Sequence, residues 1–320
     1  MTAEAPSRPV AERGFRTQGL QRNLRGLLRL LAALFSRPTS ALGTAIVLVF
    51  LFLAFFGEQV APYPDPNDQS HAVFEAPTLE LGRLSLGDYP FGTDRLGRDV
   101  FSRVILGAAS IFRVAGLGTG LAVVAGTVLG LLMGYQGGLF DEVLGRVIDA
   151  MLAIPALLLA LVAVGIIRQL NVEPGTWQAE LAENAVLLVI GILYLPIVAR
   201  VVRSVTLDIK TREFIEAAQI RGESRFYIIF REILPSVVPA LVVEASLRFS
   251  YAIFLVASLG FLGFGIRPPS PDWGRMVSEA RSIYRLAPWA LEYPAGAIAA
   301  LVVGVNLMSD GIKRALQKSA

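Results

Sequence analysis

Long, unbroken blocks of apolar residues constrain this chain more than any other feature. A helix that crosses roughly 30 Å of hydrocarbon at 1.5 Å per residue needs about 20 mostly apolar residues. Six segments qualify, some only with their flanks: Ala41 to Val60, Ile111 to Gly134, Asp149 to Ile167, Asn184 to Val202, Val237 to Gly263, and Leu291 to Met308. A soluble domain of 320 residues could bury a large core, but its helices would alternate apolar and polar faces about every 3.6 residues. Here several segments are apolar all round, in a chain that is 54% hydrophobic and 17% charged. The expectation is an all-α membrane protein with six transmembrane helices. The fourth segment is the weakest, because Pro196 interrupts it and Arg200 and Arg203 crowd its end. Pro155 and Pro196 predict kinks.

Lysines and arginines collect in the segments on one side, which hold both termini and the stretch from Arg200 to Arg231. The positive-inside rule puts that side, and both termini, in the cytoplasm. Ala61 to Ser110, Arg168 to Glu183 and Phe264 to Ala290 are then external, and they hold most of the Pro- and Asp-rich turns. The resulting division is a tail at 1–40, a first span with its external loop at 41–110, a core of five spans at 111–309, and a second tail at 310–320. Met1 to Arg37 carries seven arginines and no apolar run long enough for a signal-peptide core, which reads as a cytoplasmic tail. Within it Leu24, Leu27, Leu28, Leu31, Leu34 and Phe35 recur at helical spacing opposite Arg22, Arg25 and Arg29. That pattern predicts an interfacial helix on the anionic inner leaflet, or a frayed turn before the first span.

Composition removes several function classes. There is no cysteine for a thiolate metal site or disulfide, and the single histidine, His71, lies in a polar external loop where solvation is expected. The spans hold no histidine, no HExxH and no paired aspartates, so the convergent titratable groups of a membrane-embedded enzyme are missing. The only lysines, Lys210, Lys313 and Lys318, follow no glycine-rich turn, so nothing in the chain cradles nucleotide phosphates. Gly116, Gly118 and Gly120 follow no strand, which excludes a dinucleotide fingerprint. Gly126, Gly130 and Gly134, four residues apart, predict close helix packing instead.

The segment at about 204–236 is too patterned for a connector. It reads as two short helices broken at Gly222, with Phe214, Ala217, Ala218 and Arg221 near one face of the first. Phe226, Ile229, Phe230 and Ile233 form an apolar stripe on the second. Ala217 and Ala218 leave little side chain in the way of another protein, and Glu216 beside them supplies one charge. Glu216-Ala217-Ala218, then Gly222, then Leu234-Pro235 resemble the EAA loop of bacterial ABC importer permeases. Glu232 departs from the aliphatic residue of the general pattern in a way usual for the peptide branch. Phe91-Gly92-Thr93-Asp94-Arg95-Leu96-Gly97-Arg98-Asp99, Ser258 to Gly265 with Pro268-Pro269 and Asp272-Trp273-Gly274, and Asn306 to Gly311 resemble the dipeptide, oligopeptide and nickel C-type subunits. The resemblance covers roughly Leu42 to Leu316.

It implies a type I ABC importer-like permease, most readily for di- or oligopeptides, with nickel chelates, glutathione or oligosaccharides as alternatives. It implies no cofactor in this chain, with ATP and Mg bound by partner ATPase subunits. The implied partners are a second, related permease subunit, two cytoplasmic ATP-binding subunits, an extracytoplasmic substrate-binding protein and the lipid bilayer, with no nucleic acid. Glu216, Ala217, Ala218, Gly222, Leu234 and Pro235 would form the ATPase-coupling loop. Glu244 and Arg248, four apart in the fifth span, can pair on one face, lining a translocation path or serving as a structural pair or an inter-subunit contact. Asp149 suits a helix end or a subunit contact. The Gly97-Arg98-Asp99 turn orders the loop before the second span or receives the binding protein.

Overall fold

The computed structural model describes residues 34–78, 88–169, 175–267 and 270–317. The arginine-rich segment read as an interfacial helix lies largely outside them, as do Pro268, Pro269 and Lys318. Among the described residues the chain is helical: α1 (Pro38–Val60), α2 (Val100–Ile111), α3 (Leu117–Gln136), α4 (Gly138–Leu152), α5 (Ala156–Gln169), α6 (Trp177–Glu183), α7 (Ala185–Ile209), α8 (Glu213–Ile220), α9 (Arg225–Tyr227), α10 (Leu234–Phe261), α11 (Trp273–Ala280) and α12 (Trp289–Gln317). Five continuous helical stretches are long and apolar enough to cross a membrane, and a bent pair, α4 with α5, makes up to six.

Three expectations need correction. The second span does not begin at Ile111: a π-turn, Phe112–Gly116, joins α2 to α3 in one helix from Val100 to Gln136. The third is no straight crossing, because α4 and α5 meet at 90° across Ala153, Ile154 and Pro155. Proline lacks the N–H an unbroken helix would need there and biases the residue before it away from helical geometry. Pro196, by contrast, is accommodated inside α7. Finally, the second short helix expected in the 204–236 segment is the beginning of the fifth span. From Arg225 through a π-turn at Ile228–Ile233 into α10 the helix is continuous for 37 residues. Pro235 therefore sits inside a helix rather than closing a loop. The wider π-turn before it relieves the clash between its ring and the preceding turn.

The glycine ladder does what its spacing predicts. A Cβ on Gly126 would stand 2.8 Å from the Val198 Cβ, and one on Gly134 2.6 Å from the Thr206 Cβ, so α3 and α7 pack backbone to backbone. A second close pair was not read from the sequence. A Cβ on Gly304 of α12 would meet Ile46 of α1 at 2.7 Å, and Arg314 Nη2 donates to Ser40 Oγ at 3.0 Å. Arg200 and Arg203 do not end α7, because each has a carboxylate on α4. Arg203 Nη2 bonds Asp141 Oδ2 at 2.6 Å, and Arg200 pairs with Asp149. Lys210 Nζ then donates to the carbonyls of Gly134 and Tyr135, satisfying the C-terminal end of α3.

Candidate functional site

The 204–236 segment lies at the end of the bundle shared by Pro38, Gln136, Ile209 and Gln317. Ile215 and Ala218, three residues apart on α8, are fully buried in a cluster with Leu131, Val202, Ile228, Ile233 and Val237. That pins α8 against the spans. Its C-terminus closes in a Schellman turn: Gly222 N–H donates to Gln219 O at 2.9 Å and Glu223 N–H to Ala218 O at 3.2 Å. The turn demands the left-handed conformation that Gly222 adopts, at φ +77°. Two residues later Ser224 Oγ accepts from Tyr227 N–H at 3.2 Å and caps the helix that becomes the fifth span.

The two alanines part company here. Successive helical residues are about 100° apart, so with Ala218 turned inward Ala217 faces out, beside exposed Glu216. Only Ala217 can therefore offer a close approach to another protein. The predicted apolar stripe also divides: Ile229 and Ile233 are buried, whereas Phe226 is 75% exposed and stacks on Phe230 at 5.4 Å. Ile220 is 81% exposed. The outward face of this joint therefore combines one acid, one small residue and several large exposed apolar groups. Leu234 is half-buried and Pro235 exposed, both on the helical continuation. Ile220 was not singled out from the sequence. Once Ile215 and Ala218 are known to face inward, the helical period alone would have found Ile220.

Glu244 and Arg248 pair as their spacing predicts, Arg248 Nε to Glu244 Oε1 at 2.8 Å, with both side chains largely buried. The guanidinium also sits 4.9 Å above the Tyr251 ring and 5.9 Å from that of Tyr194 on α7. Ion pair and aromatic faces together compensate a charge at mid-span.

At the opposite end, the Phe91-to-Asp99 motif is a folded knot. Asp94 accepts from Leu96 N–H at 2.8 Å and Arg98 N–H at 3.0 Å, and its second oxygen takes Arg98 Nε at 2.7 Å and Arg103 Nη1 at 2.8 Å. Arg98 Nη2 reaches Glu279 on α11 at 2.6 Å. Asp99 caps α2 through Ser102 N–H at 2.7 Å. Trp273, fully buried, donates from its indole N–H to Val104 O at 3.0 Å, and Trp289 does the same to Thr93 O. Asp272 caps α11 and accepts from Ile266 N–H at 2.6 Å; burial pushes its carboxyl up from the ordinary value, against those backbone donors. The Gly97-Arg98-Asp99 turn thus orders this loop. His71 is not simply solvated, since its ring packs between Tyr63 at 4.3 Å and Tyr89 at 5.3 Å.

Residues 126–320 match the family model described as binding-protein-dependent transport system inner membrane component. The dipeptide transport system permease protein DppC of Alkalihalophilus pseudofirmus is 35% identical over 276 residues, 86% of this chain and 84% of that one. The glutathione transport system permease protein GsiD of Pectobacterium atrosepticum is 37% identical over 275 residues, 84% and 83% of the two chains. The di/tripeptide permease protein DppC of Pseudomonas aeruginosa is 35% identical over 285 residues. Among solved structures, a chain of the MetNI methionine ABC transporter in inward-facing conformations superposes with a TM-score of 0.54 at 18% identity, over 67% of this chain and 96% of that chain. That likeness carries the fold alone.

Proposed function

The chain belongs to the family of binding-protein-dependent transport inner membrane components, permease subunits and not enzymes, and on that premise we propose that its cargo is a di- or oligopeptide. The peptide reading rests on relatives named for dipeptide transport that align with most of both chains. The glutathione-named relatives, at 37% identity, favour a second cargo of the same chemistry, since glutathione is itself a peptide.

In this reading the outward face of α8, with Glu216, Ala217 and Ile220, and the neighbouring Phe226 seat on one of two ATP-binding subunits, which bind ATP and Mg. A second, related permease completes the pathway, and a substrate-binding protein docks at the opposite end. The density of lysine and arginine around the loop supports a cytoplasmic loop end with both termini on that side. One observation carries the proposal of coupling: exposed Glu216 and Ala217 stand on a short helix held by a four-residue joint, Arg221 to Ser224, to the 37-residue helix containing Glu244 and Arg248. A force on α8 has a direct mechanical route to mid-membrane.

Deleting Glu216 to Gly222 tests it. Loss of ATPase association together with loss of dipeptide uptake is the expected result. Uptake that persists would identify a self-sufficient transporter. Uptake of a sugar with failure of every peptide would overturn the cargo.

A further inference from the structure

Opposite the loop end a cavity of about 320 Å³ opens between four segments of the chain. Its polar lining is Glu58 from the end of α1, Arg113 from the π-turn between α2 and α3, Glu183 and Asn184 at the α6–α7 junction, and Arg267 and Ser270 after α10. The volume falls at the low end of small-molecule pockets. Two features set it apart from an ordinary solvated rim. First, it gathers two carboxylates and two guanidiniums, yet among the described residues none of the four makes an ion pair. All four are exposed, within reach of a ligand, whereas the paired Asp94, Arg98 and Arg103 at the same end are buried. Second, Arg113 stands on a π-turn. A π-turn inserts one residue and rotates everything after it, a distortion that persists where it re-aims a side chain.

We propose that this cavity is an entry site on the permease itself, where the charged ends of a zwitterionic peptide are received, the ammonium between Glu58 and Glu183 and the carboxylate between Arg113 and Arg267. The inference rests on the peptide reading above and deepens it. Both signs of charge on one small pocket suit a ligand that carries both signs, and guanidinium groups hold a carboxylate by paired, charge-assisted hydrogen bonds. A second cavity of about 560 Å³ adjoins it, sharing Glu58, Ser110 and Ser270 and adding Asp65. Side chains between the two peptide ends have room to extend there.

The test uses the whole transporter in proteoliposomes, this chain with its partner permease, ATPase subunits and binding protein. Uptake of a labelled dipeptide is compared with that of its N-acetylated and C-amidated forms. Because the binding protein is identical in every preparation, any change in discrimination between variants belongs to the permease. Arg113→Gln and Arg267→Gln are expected to slow the unblocked peptide about tenfold, the loss of one charge-assisted hydrogen bond, while leaving the C-amidated peptide unchanged. Glu58→Gln and Glu183→Gln are expected to do the same for the free amine and to spare the N-acetylated form. Arg113→Lys should restore part of the rate. Full uptake with unchanged discrimination in all four variants would remove the site and leave the permease standing. A wild-type complex that moves no peptide in any form would overturn the cargo and the site together.

Discussion

The two ends of the bundle are built on opposite principles. At the end away from the 204–236 segment, buried charges share a network in which Asp94 takes both Arg98 and Arg103 and Arg98 also reaches Glu279, and both tryptophans that bridge segments spend their N–H groups on backbone carbonyls. At the loop end, α8 buries only Ile215 and Ala218, and its remaining surface faces outward. Around Asp94 the first end is closed by contacts within the chain. The second is held by just enough contacts to fix its position, with a phenylalanine pair and an acid left for something else. Family membership gives the contrast its meaning: a permease subunit needs a stiff outer frame and a free surface for its energy-supplying partner.

Four substitutions would break or sharpen that contrast, in order of their effect on stability. Asp94→Ala leaves the buried Arg103 without a carboxylate partner and Arg98 with Glu279 alone, a change that costs about 3–5 kcal/mol. Thermal unfolding of the detergent-solubilised protein should show it, and a loss below about 1 kcal/mol would mean that the closed end is not held by this network. Gly130→Val forces apart α3 and α7, because its Cβ would lie 2.8 Å from Val202 Cβ; overpacking of this kind costs about 1–3 kcal/mol and should lower the same midpoint. Gly222→Ala places a Cβ in the left-handed turn after α8, with an expected loss of about 1 kcal/mol. Unchanged stability there would show that the joint relaxes freely. Glu216→Ala should shift stability by less than about 0.5 kcal/mol, since the side chain is exposed. Yet co-purification of the ATPase subunits should fall markedly. A Glu216→Ala protein that retains its ATPase would erase the distinction between a closed end and a receptive one.

How much of this could be read beforehand follows the range of the forces. Hydropathy located the apolar helices, because burial in hydrocarbon is a property of each segment alone, but not where the second and fifth begin; the glycine ladder announced its packing. The spacing of Glu244 and Arg248 gave their pairing for the same local reason. The break at Pro155 was legible as a kink but not as a right angle, because the bend depends on what α4 and α5 pack against. The carboxylates that accept Arg200 and Arg203 lie about 50–60 positions away in a helix of their own, and one sequence holds no record of such pairings. The inward or outward aspect of Ala217 and Ala218 likewise depends on the cluster beneath them. The loop motif alone does not say which of the two alanines faces outward.

The unbroken helix from Arg225 to Phe261 has a further consequence. At 1.5 Å per residue it is a rod about 55 Å long, and Glu244 and Arg248 stand near its middle. If it pivots near its far end, where α11 packs against α10, a tilt of about 10° sweeps the middle sideways by about 5 Å, comparable to the spacing of one helical turn. A hinge at Leu234-Pro235, as a separate loop would have supplied, would absorb that stroke before it reached the membrane. With no hinge there, the amplitude of the movement is set by the length of the lever rather than by the strength of any single contact.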